Sequence, residues 1–268
     1  EDEFYSYGIW LDLITEVSSA GLISVASKQQ IDEISDVSIK EIPNKLCVRY
    51  IVNGELWRMK DTFQLFIELY DTKESKVVWT DKWQENWENI TTIKGNLSNG
   101  LLKALSTKPK VEKKVQTTNA EAYEYYLRAK HKFDKRESKD DTILAQGLLE
   151  KSIELDNNLI TAKNLFGETY VAFGKYNEAL EIFSHNLKQA EKQNNKQEIA
   201  NCLEGFSGTY HHTGEYQKAI EFSMRSIEIY QEIGNKSMLG SALGNAGNCY
   251  RKDGDYENGL DYLTRSLK

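Results

Sequence analysis

Apolar and polar positions divide the chain into two parts with different periods. From about Asn119 to Lys268, apolar residues recur three and four positions apart, the spacing of helices with one buried face. Before that point, three consecutive runs alternate apolar and polar residues: CVRYIVNGELWRM, DTFQLFIELYD and SKVVWTDKWQEN. Such alternation predicts strands, here joined as an antiparallel meander. The sequence therefore predicts an α+β domain followed by an all-α domain.

Helices are predicted on both sides of the meander. An amphipathic helix fits residues 5–20, followed by a short apolar strand at 22–26. A short helix fits 38–46, although Pro43 lies within it. A helix over 87–105 then returns to pack on the sheet, which completes an α+β layer.

Three stretches of the second part align with one another. They begin at Ala162, Asn201 and Ala242, and their period is 40 residues. The aligned positions are Tyr170, Tyr210 and Tyr250; Gly174, Gly214 and Gly254; Tyr176, Tyr216 and Tyr256; and Ala179, Ala219 and Gly259. Each unit predicts a helix, a turn closed by the left-handed glycine, and a second helix. Gly167, Ser207 and Gly247 are small residues at the helix crossing, where bulk would push the pair apart.

This pattern closely resembles the tetratricopeptide repeat family in a longer, 40-residue form. The resemblance implies a stacked superhelix, because one helix pair cannot bury its apolar face alone. The sequence departs from the family at Asn186, where Ala is usual, and at Gly259. An irregular first unit is predicted over 120–155, and the last unit ends inside its second helix at Lys268. We therefore expect about four repeats, the last truncated, in a parent protein that continues.

The first part resembles the TolB N-terminal-like domain that precedes tetratricopeptide repeats in bacterial signalling proteins. The stretches that carry the resemblance are YGIWLDLITEVSSAGLISVAS, IKEIPNKLCVRYIVNGELWR and FQLFIELYDTKESKVVWTDKW. The resemblance implies an α+β domain over 1–106, a basic linker over 107–118 and the repeat domain over 119–268. In that family a first strand would precede Glu1, which again predicts a piece of a larger protein. Such domain pairs are often fused to class III adenylate or guanylate cyclases, transcriptional regulators or protein kinases.

Charge and cysteine content narrow the class of function. The formal net charge is -7, which disfavours nucleic acid as the main partner. No apolar run has the length of a membrane span. The three cysteines have neither disulfide-framework nor metal-site spacing. These features favour a cytoplasmic protein without a cofactor or a metal.

Residues that could carry catalysis have simpler structural interpretations. Asp71 and Asp81 lie at strand ends beside turn residues, so they do not predict the metal-binding carboxylates of a cyclase. His211 and His212 are adjacent on a helix and point about 100° apart, which suits one metal ion poorly. They occupy a helix C-terminus, where a cation is favoured. The fragment is therefore predicted to have no catalytic site of its own.

Two further clusters of residues that could suggest a ligand site also have a structural interpretation. Gly240, Gly244 and Gly247 lack the preceding strand and the lysine of a phosphate loop. Trp79, Trp83 and Trp87 run from a strand into a helix, where aromatic side chains usually seal the core between sheet and helix.

A groove lined by the first helix of each pair is the predicted binding site. The candidate residues are Asn164, Glu168, Asn201, Glu204, His212, Asn245, Asn248 and Arg251. Asparagine offers both a donor and an acceptor to the backbone of an extended peptide, and carboxylates favour basic segments. The alternative interpretation is a solvated helix face.

Together these features predict a non-catalytic, protein-interaction region of a bacterial signalling protein. A cyclase whose catalytic domain lies outside this chain is the favoured parent. The alternative is the effector module of a transcriptional regulator or a protein kinase, and a small-molecule site within residues 4–106 is a third hypothesis. Whether the protein forms a homo-oligomer is left open.

Overall fold

The computed structural model describes residues 3–19, 25–26, 30–31, 34, 37–38, 41–105 and 117–267. The chain divides into two compact units, Glu1–Ala120 and Glu121–Lys268. Apart from 117 and 118, the predicted linker lies outside the described residues, so its role stays a prediction.

The first unit is a three-stranded antiparallel sheet with helices. Its elements are α1 (Glu3–Ser19), α2 (Ile42–Leu46), β1 (Tyr50–Met59), β2 (Thr62–Asp71), β3 (Lys76–Asn86), a short 3-10 helix (Trp87–Asn89) and α3 (Ile90–Ala104). The strand order is β1-β2-β3, with β2 in the centre. This is the predicted meander, and the helix predicted over 87–105 is also present.

Alternation along β2 decides which face of the sheet is buried. Phe63, Leu65, Ile67 and Leu69 are all buried, whereas the residues between them are partly exposed. Successive side chains of a strand point to opposite faces, so one face of this sheet forms a core and the other meets solvent. Apolar side chains of α1 and α3 are buried as well: Tyr5, Ile9, Leu13, Val17, Ile90, Ile93, Leu97, Leu101 and Leu102.

Two of the three tryptophans, Trp87 and Trp79, pack between sheet and helices as the sequence predicts. Trp87 is buried, its ring meets Tyr5 edge-on at 4.5 Å, and the guanidinium carbon of Arg58 lies 4.0 Å from its centroid. Trp79 packs on α3, where a Cβ added to Gly100 would lie 3.0 Å from the indole.

Two predicted elements of the first unit have other outcomes. Helix α2 begins at Ile42 rather than at residue 38, which places Pro43 in the first turn. A proline is tolerated there because the missing N–H has no intrahelical partner in any case. The strand predicted at 22–26 lies outside the described residues except for Val25 and Ala26, which are not in a strand.

The second unit consists of helix pairs. They are α4 (Ala120–Asp134) with α5 (Lys139–Leu155), α6 (Ile160–Ala172) with α7 (Tyr176–Lys192), α8 (Lys196–Thr213) with α9 (Tyr216–Ile233), and α10 (Lys236–Asp253) with α11 (Tyr256–Ser266). The predicted fold class, an α+β part followed by an all-α superhelix, is confirmed.

The turn glycines adopt the conformation that the repeat requires. The φ angles of Gly174, Gly214 and Gly254 are 73°, 82° and 94°. An L-residue rarely adopts these angles, whereas glycine does so without steric penalty. In the turn after α8, the Glu215 N–H bonds the Tyr210 carbonyl, which satisfies an otherwise unpaired group of that helix.

The crossing positions need small residues, as predicted. A Cβ on Gly167 would lie 2.8 Å from the Phe183 ring, and one on Gly247 would lie 2.8 Å from Leu263. At the equivalent position of the middle pair, the Ser207 and Ser223 hydroxyls are 2.6 Å apart and hydrogen-bonded. Each pair therefore crosses too closely for a larger side chain.

The first pair has its own turn, as its irregular sequence suggests. Ser138 caps α5 by accepting from the Asp141 N–H at 3.3 Å, and Asp141 accepts from the Ser138 N–H at 3.0 Å. This reciprocal arrangement is a capping box. Lys132 of α4 reaches the Asp141 carboxylate at 2.7 Å, so the cap also ties the two helices together.

Candidate partner-binding groove

The first helices of the repeats share one polar stripe. Four positions relative to the aligned tyrosine (nine, six and two before it, and two after it) lie within about 80° of one another around a helix. They are Thr161, Asn164, Glu168 and Ala172 on α6; Asn201, Glu204, Gly208 and His212 on α8; and Ser241, Gly244, Asn248 and Lys252 on α10. We call this set the groove stripe. Stacked helical repeats form extended concave surfaces, so the prediction that this stripe lines such a surface stays a prediction.

Asn164 links helices inside the groove stripe. It is only 5% exposed, its amide donates to Glu198 Oε2 at 3.0 Å, and its carbonyl accepts from Asn186 Nδ2 at 2.9 Å. The Cys202 thiol donates to the same carbonyl at 3.2 Å. These bonds explain why Asn186 replaces the usual alanine. Both ends of the Asn164 amide already have protein partners, so this side chain holds the stack together rather than facing a peptide.

A buried carboxylate lies at the centre of this network. Glu198 is 2% exposed and accepts from Thr161 Oγ1 at 2.7 Å, Asn164 Nδ2 at 3.0 Å and Asn201 Nδ2 at 3.2 Å. The half-buried Asn201 in turn accepts from the Tyr230 hydroxyl at 2.9 Å. Because unpaired buried polar groups are costly, these bonds fix how α6, α8 and α9 meet.

A second link joins α8 to α10. The half-buried Glu204 accepts from the Ser226 hydroxyl and, at 2.8 Å, from the amide of the exposed Asn245. Burial raises the pKa of Glu204, and its two hydrogen bonds partly oppose that effect. Glu204 and Asn245 are therefore hydrogen-bonded within the protein, and both remain at least partly accessible to solvent.

Glu168 lies deeper in the groove than its accessible area suggests. Its side chain reaches solvent, yet surrounding protein atoms raise its pKa to about 7. Loss of hydration is the main cause and Asp134 adds to it, whereas Lys130 and Arg136 act in the opposite direction. A carboxylate that is surrounded by protein atoms but open to solvent on one side has both properties.

The remaining candidates are exposed in the C-terminal halves of the first helices. Asn248 and Arg251 lie on α10, and His212 lies at the end of α8 with its ring stacked on Tyr176 at 6.2 Å. The predicted site residues thus divide into a structural set near the helix starts and an accessible set near the helix ends. Their role in binding stays a prediction.

Sequence reasoning missed the network that holds the stripe. Glu198 and Tyr230 are not among the predicted residues, although both are central to it. The one available signal was Asn186, a polar residue at an alanine position, which suggested an unusual partner on the neighbouring helix.

Residues considered for other chemistry have structural partners. Asp71 is buried, and Arg49 Nη2 lies 3.0 Å from its carboxylate, which also accepts from the turn N–H of Lys73 at 2.9 Å. Burial raises the pKa of Cys202 to about 12 and that of Cys249 to about 11, so both are protonated thiols at neutral pH. Among the described residues, no group of His, Cys, Asp and Glu could hold a metal ion.

Comparison with known proteins supports the repeat assignment. The model of the tetratricopeptide repeat family matches residues 158–232, which covers α6 to α9 apart from Ile233. No curated protein matches the sequence. In the part of the chain that the structure describes, no helix is long and apolar enough to cross a membrane.

Three solved structures are similar in fold. Rap protein complexed with Competence and Sporulation Factor is 15% identical, with a TM-score of 0.50 over 99% of this chain and 65% of that one. BtubC from P. vanneervenii is 17% identical, with a TM-score of 0.46 over 67% of this chain and 75% of that one. Aspartyl phosphate phosphatase F from Bacillus subtilis is 14% identical, with a TM-score of 0.45 over 66% and 61%. This chain thus spans less than two thirds of two of these proteins.

Proposed function

We propose that the second unit binds an extended segment of a protein partner along the groove stripe. The observation that carries this proposal is that some residues near the stripe are buried in a hydrogen-bonded network whereas others are exposed. Asn164 and Glu198 form a buried network that sets the spacing of the first helices. That network leaves His212 and Asn248 of the stripe exposed, and Arg251 is exposed next to the stripe. A rigid scaffold that presents polar side chains at fixed spacing suits recognition of an extended backbone.

Fold and charge support this proposal. Rap protein, which shares the fold, is complexed with Competence and Sporulation Factor in its structure. In this chain, Glu168 and Glu204 lie on the groove stripe and have raised pKa values because of burial. A lysine or arginine of a bound segment would stabilise their ionised forms, so we expect a preference for basic segments.

We further infer that the chain is a cytoplasmic regulatory region of a bacterial signalling protein, with a class III cyclase as parent. The sequence resemblance of residues 4–106 supports this inference, as does the structural use of Asp71. The fragment should form no cyclic nucleotide from ATP or GTP with Mn²⁺, and product formation would overturn the regulatory assignment. The parent reading frame upstream of Glu1 discriminates between a cyclase, a transcriptional regulator and a kinase.

Selection from a display library of random dodecapeptides tests the binding proposal. We expect selected peptides to lose affinity for the chain carrying both Glu168→Ala and Asn248→Ala, because both residues are exposed on the groove stripe. The matched control carries Lys188→Ala and Glu228→Ala, which change exposed residues of the second helices. Asn245 is left intact because its bond to Glu204 makes it structural as well. Equal affinity for the two double variants would refute the groove.

A further inference from the structure

Four basic residues lie in the last turns of two neighbouring first helices. They are His211 and His212 in the last turn of α8, and Arg251 and Lys252 in the last turn of α10. The 40-residue period places Arg251 in register with His211 and Lys252 in register with His212. The two helices are neighbours, as the Asn245–Glu204 bond of 2.8 Å shows. We call these four residues the cationic edge.

The pKa of His211 reflects burial and the basic groups around it. A helix C-terminus carries partial negative charge and would raise the pKa of a nearby histidine. The pKa of His211 is instead lowered, first by burial and then by His212, Lys252 and Arg251. Repulsion among these groups thus adds to burial, and an anion would relieve both effects.

Carboxylates of the adjoining turns already have partners. Asp253 accepts from the Gln217 amide, and Glu215 pairs with Lys218 at 2.6 Å. Asp255 accepts from Asn258 Nδ2 at 2.7 Å in the cap of α11. In these bonds the carboxylates face groups outside the cationic edge, and Glu215 alone of the three is paired with a cation.

Aromatic rings hold the two imidazoles in place. The His212 ring lies parallel to Tyr176 of the preceding pair, with centroids 6.2 Å apart and planes 9° apart. The His211 ring meets Tyr216 edge-on at 5.8 Å. Ordered rings lose less conformational entropy when they bind than freely rotating side chains do. His212, Arg251 and Lys252 are nevertheless exposed, so a ligand can reach them.

We propose that the cationic edge binds the phosphate of a phosphorylated serine or threonine on the partner segment that occupies the groove. This inference rests on the proposed function. The permanent cations of the edge are Arg251 and Lys252, because the pKa of His211 is lowered. One carboxylate would neutralise half of that charge, whereas a phosphate brings up to two charges and three acceptor oxygens, which the imidazoles can also contact. Arginine matches such oxygens in a bidentate fork, and lysine adds a mobile point charge. Glu168 and Glu204 of the groove stripe favour basic residues elsewhere in the same segment.

Histidine NMR with inorganic phosphate as the probe tests the site without a partner. The chain has four histidines, so His131 and His185 serve as internal controls. At constant ionic strength, phosphate should move the imidazole C2–H signals of His211 and His212 saturably and raise the pKa of His211. The variant with both Arg251→Ala and Lys252→Ala should bind at least about tenfold more weakly, whereas Arg251→Lys should keep part of the response. Equal shifts of all four histidines, or an unchanged response in the double variant, would overturn the proposal.

A second experiment tests whether the response is specific to phosphate. It also tests whether the phosphate site and peptide binding along the groove stripe can be separated. N-acetyl-phosphoserine amide should reproduce the shifts, and N-acetyl-aspartate amide at equal concentration should not. An equal response to the aspartate compound would overturn the assignment to phosphate. Display-selected peptides that need the groove stripe but gain nothing from serine phosphorylation would reject the phosphate site and leave the groove intact. A phosphate response without any groove-dependent peptide would instead reject the proposed function.

Discussion

The backbone of Gly205 on α8 lies directly against the ring of Phe183 on α7. A Cβ placed on Gly205 would come within 2.4 Å of Phe183 Cε1, closer than real side chains approach. Phe183 is 1% exposed and also lies under Gly167, so its ring is held between two first helices. The spacing of α6 and α8 depends on this contact.

Gly205→Ala is therefore expected to destabilise the second unit. Overpacking a core typically costs about 1–3 kcal/mol, which outweighs the gain of about 1 kcal/mol from replacing a helical glycine by alanine. The matched control is Gly208→Ala on the same helix, where an added Cβ meets nothing within 4 Å. That change should stabilise by about 0.5–1 kcal/mol. Urea unfolding of both variants measures the difference, and equal effects would contradict the contact.

A second prediction concerns the buried carboxylate. Glu198→Gln places an amide donor where Thr161, Asn164 and Asn201 all donate, so at least one donor loses its partner. We expect a loss of about 1–3 kcal/mol in the free energy of unfolding. Glu228→Gln, an exposed change on α9, should alter it by less than about 0.5 kcal/mol. A Glu198→Gln variant as stable as the wild type would show that the network is dispensable.

The raised pKa of Glu168 predicts how stability depends on pH. Its folded value of about 7 lies above the ordinary value of 4.5, so the folded chain holds the proton more tightly. The resulting stability is fully present below about pH 4.5 and is lost as the pH rises through 7. Glu168→Gln should remove this pH-dependent contribution to stability. The Tm of the variant minus the Tm of the wild type should therefore increase between pH 5 and pH 8.

Thermal unfolding of the two proteins across that range measures the effect. Glu228→Gln removes the same charge from an exposed position of α9 and separates local burial from a change in net charge. Parallel Tm curves for Glu168→Gln and the wild type would refute the enclosed position of Glu168.

A fourth prediction concerns the cap of α5. Ser138→Ala removes the acceptor of the Asp141 N–H and should cost about 1 kcal/mol of stability. Ser138→Asn should keep most of it, because asparagine is an equally good cap. Denaturant unfolding distinguishes the two, and equal losses would mean that the hydroxyl makes no useful bond.

The sequence was sufficient to predict the fold where a backbone conformation or a buried face requires a particular type of residue. Gly174, Gly214 and Gly254 mark the turns because only glycine adopts their φ angles easily, and β2 alternates because one face is buried. The same reasoning could not locate the Glu198 network. Its members lie on different helices, and whether Asn164 faces a groove or a neighbouring helix depends on packing that spacing alone does not determine. The pKa of Glu168 likewise depends on Asp134, Lys130 and Arg136 of another helix pair.

The bond between Glu204 and Asn245 has a consequence for how a signal could travel. It joins two consecutive helix pairs through residues 41 positions apart in the chain, and Asn164 and Glu198 join the preceding two pairs in the same way. In a linear array, such links decide whether the units unfold together or one at a time. A partner seated on one pair would therefore also restrain the next, so the length of ordered superhelix could itself be the quantity that binding controls.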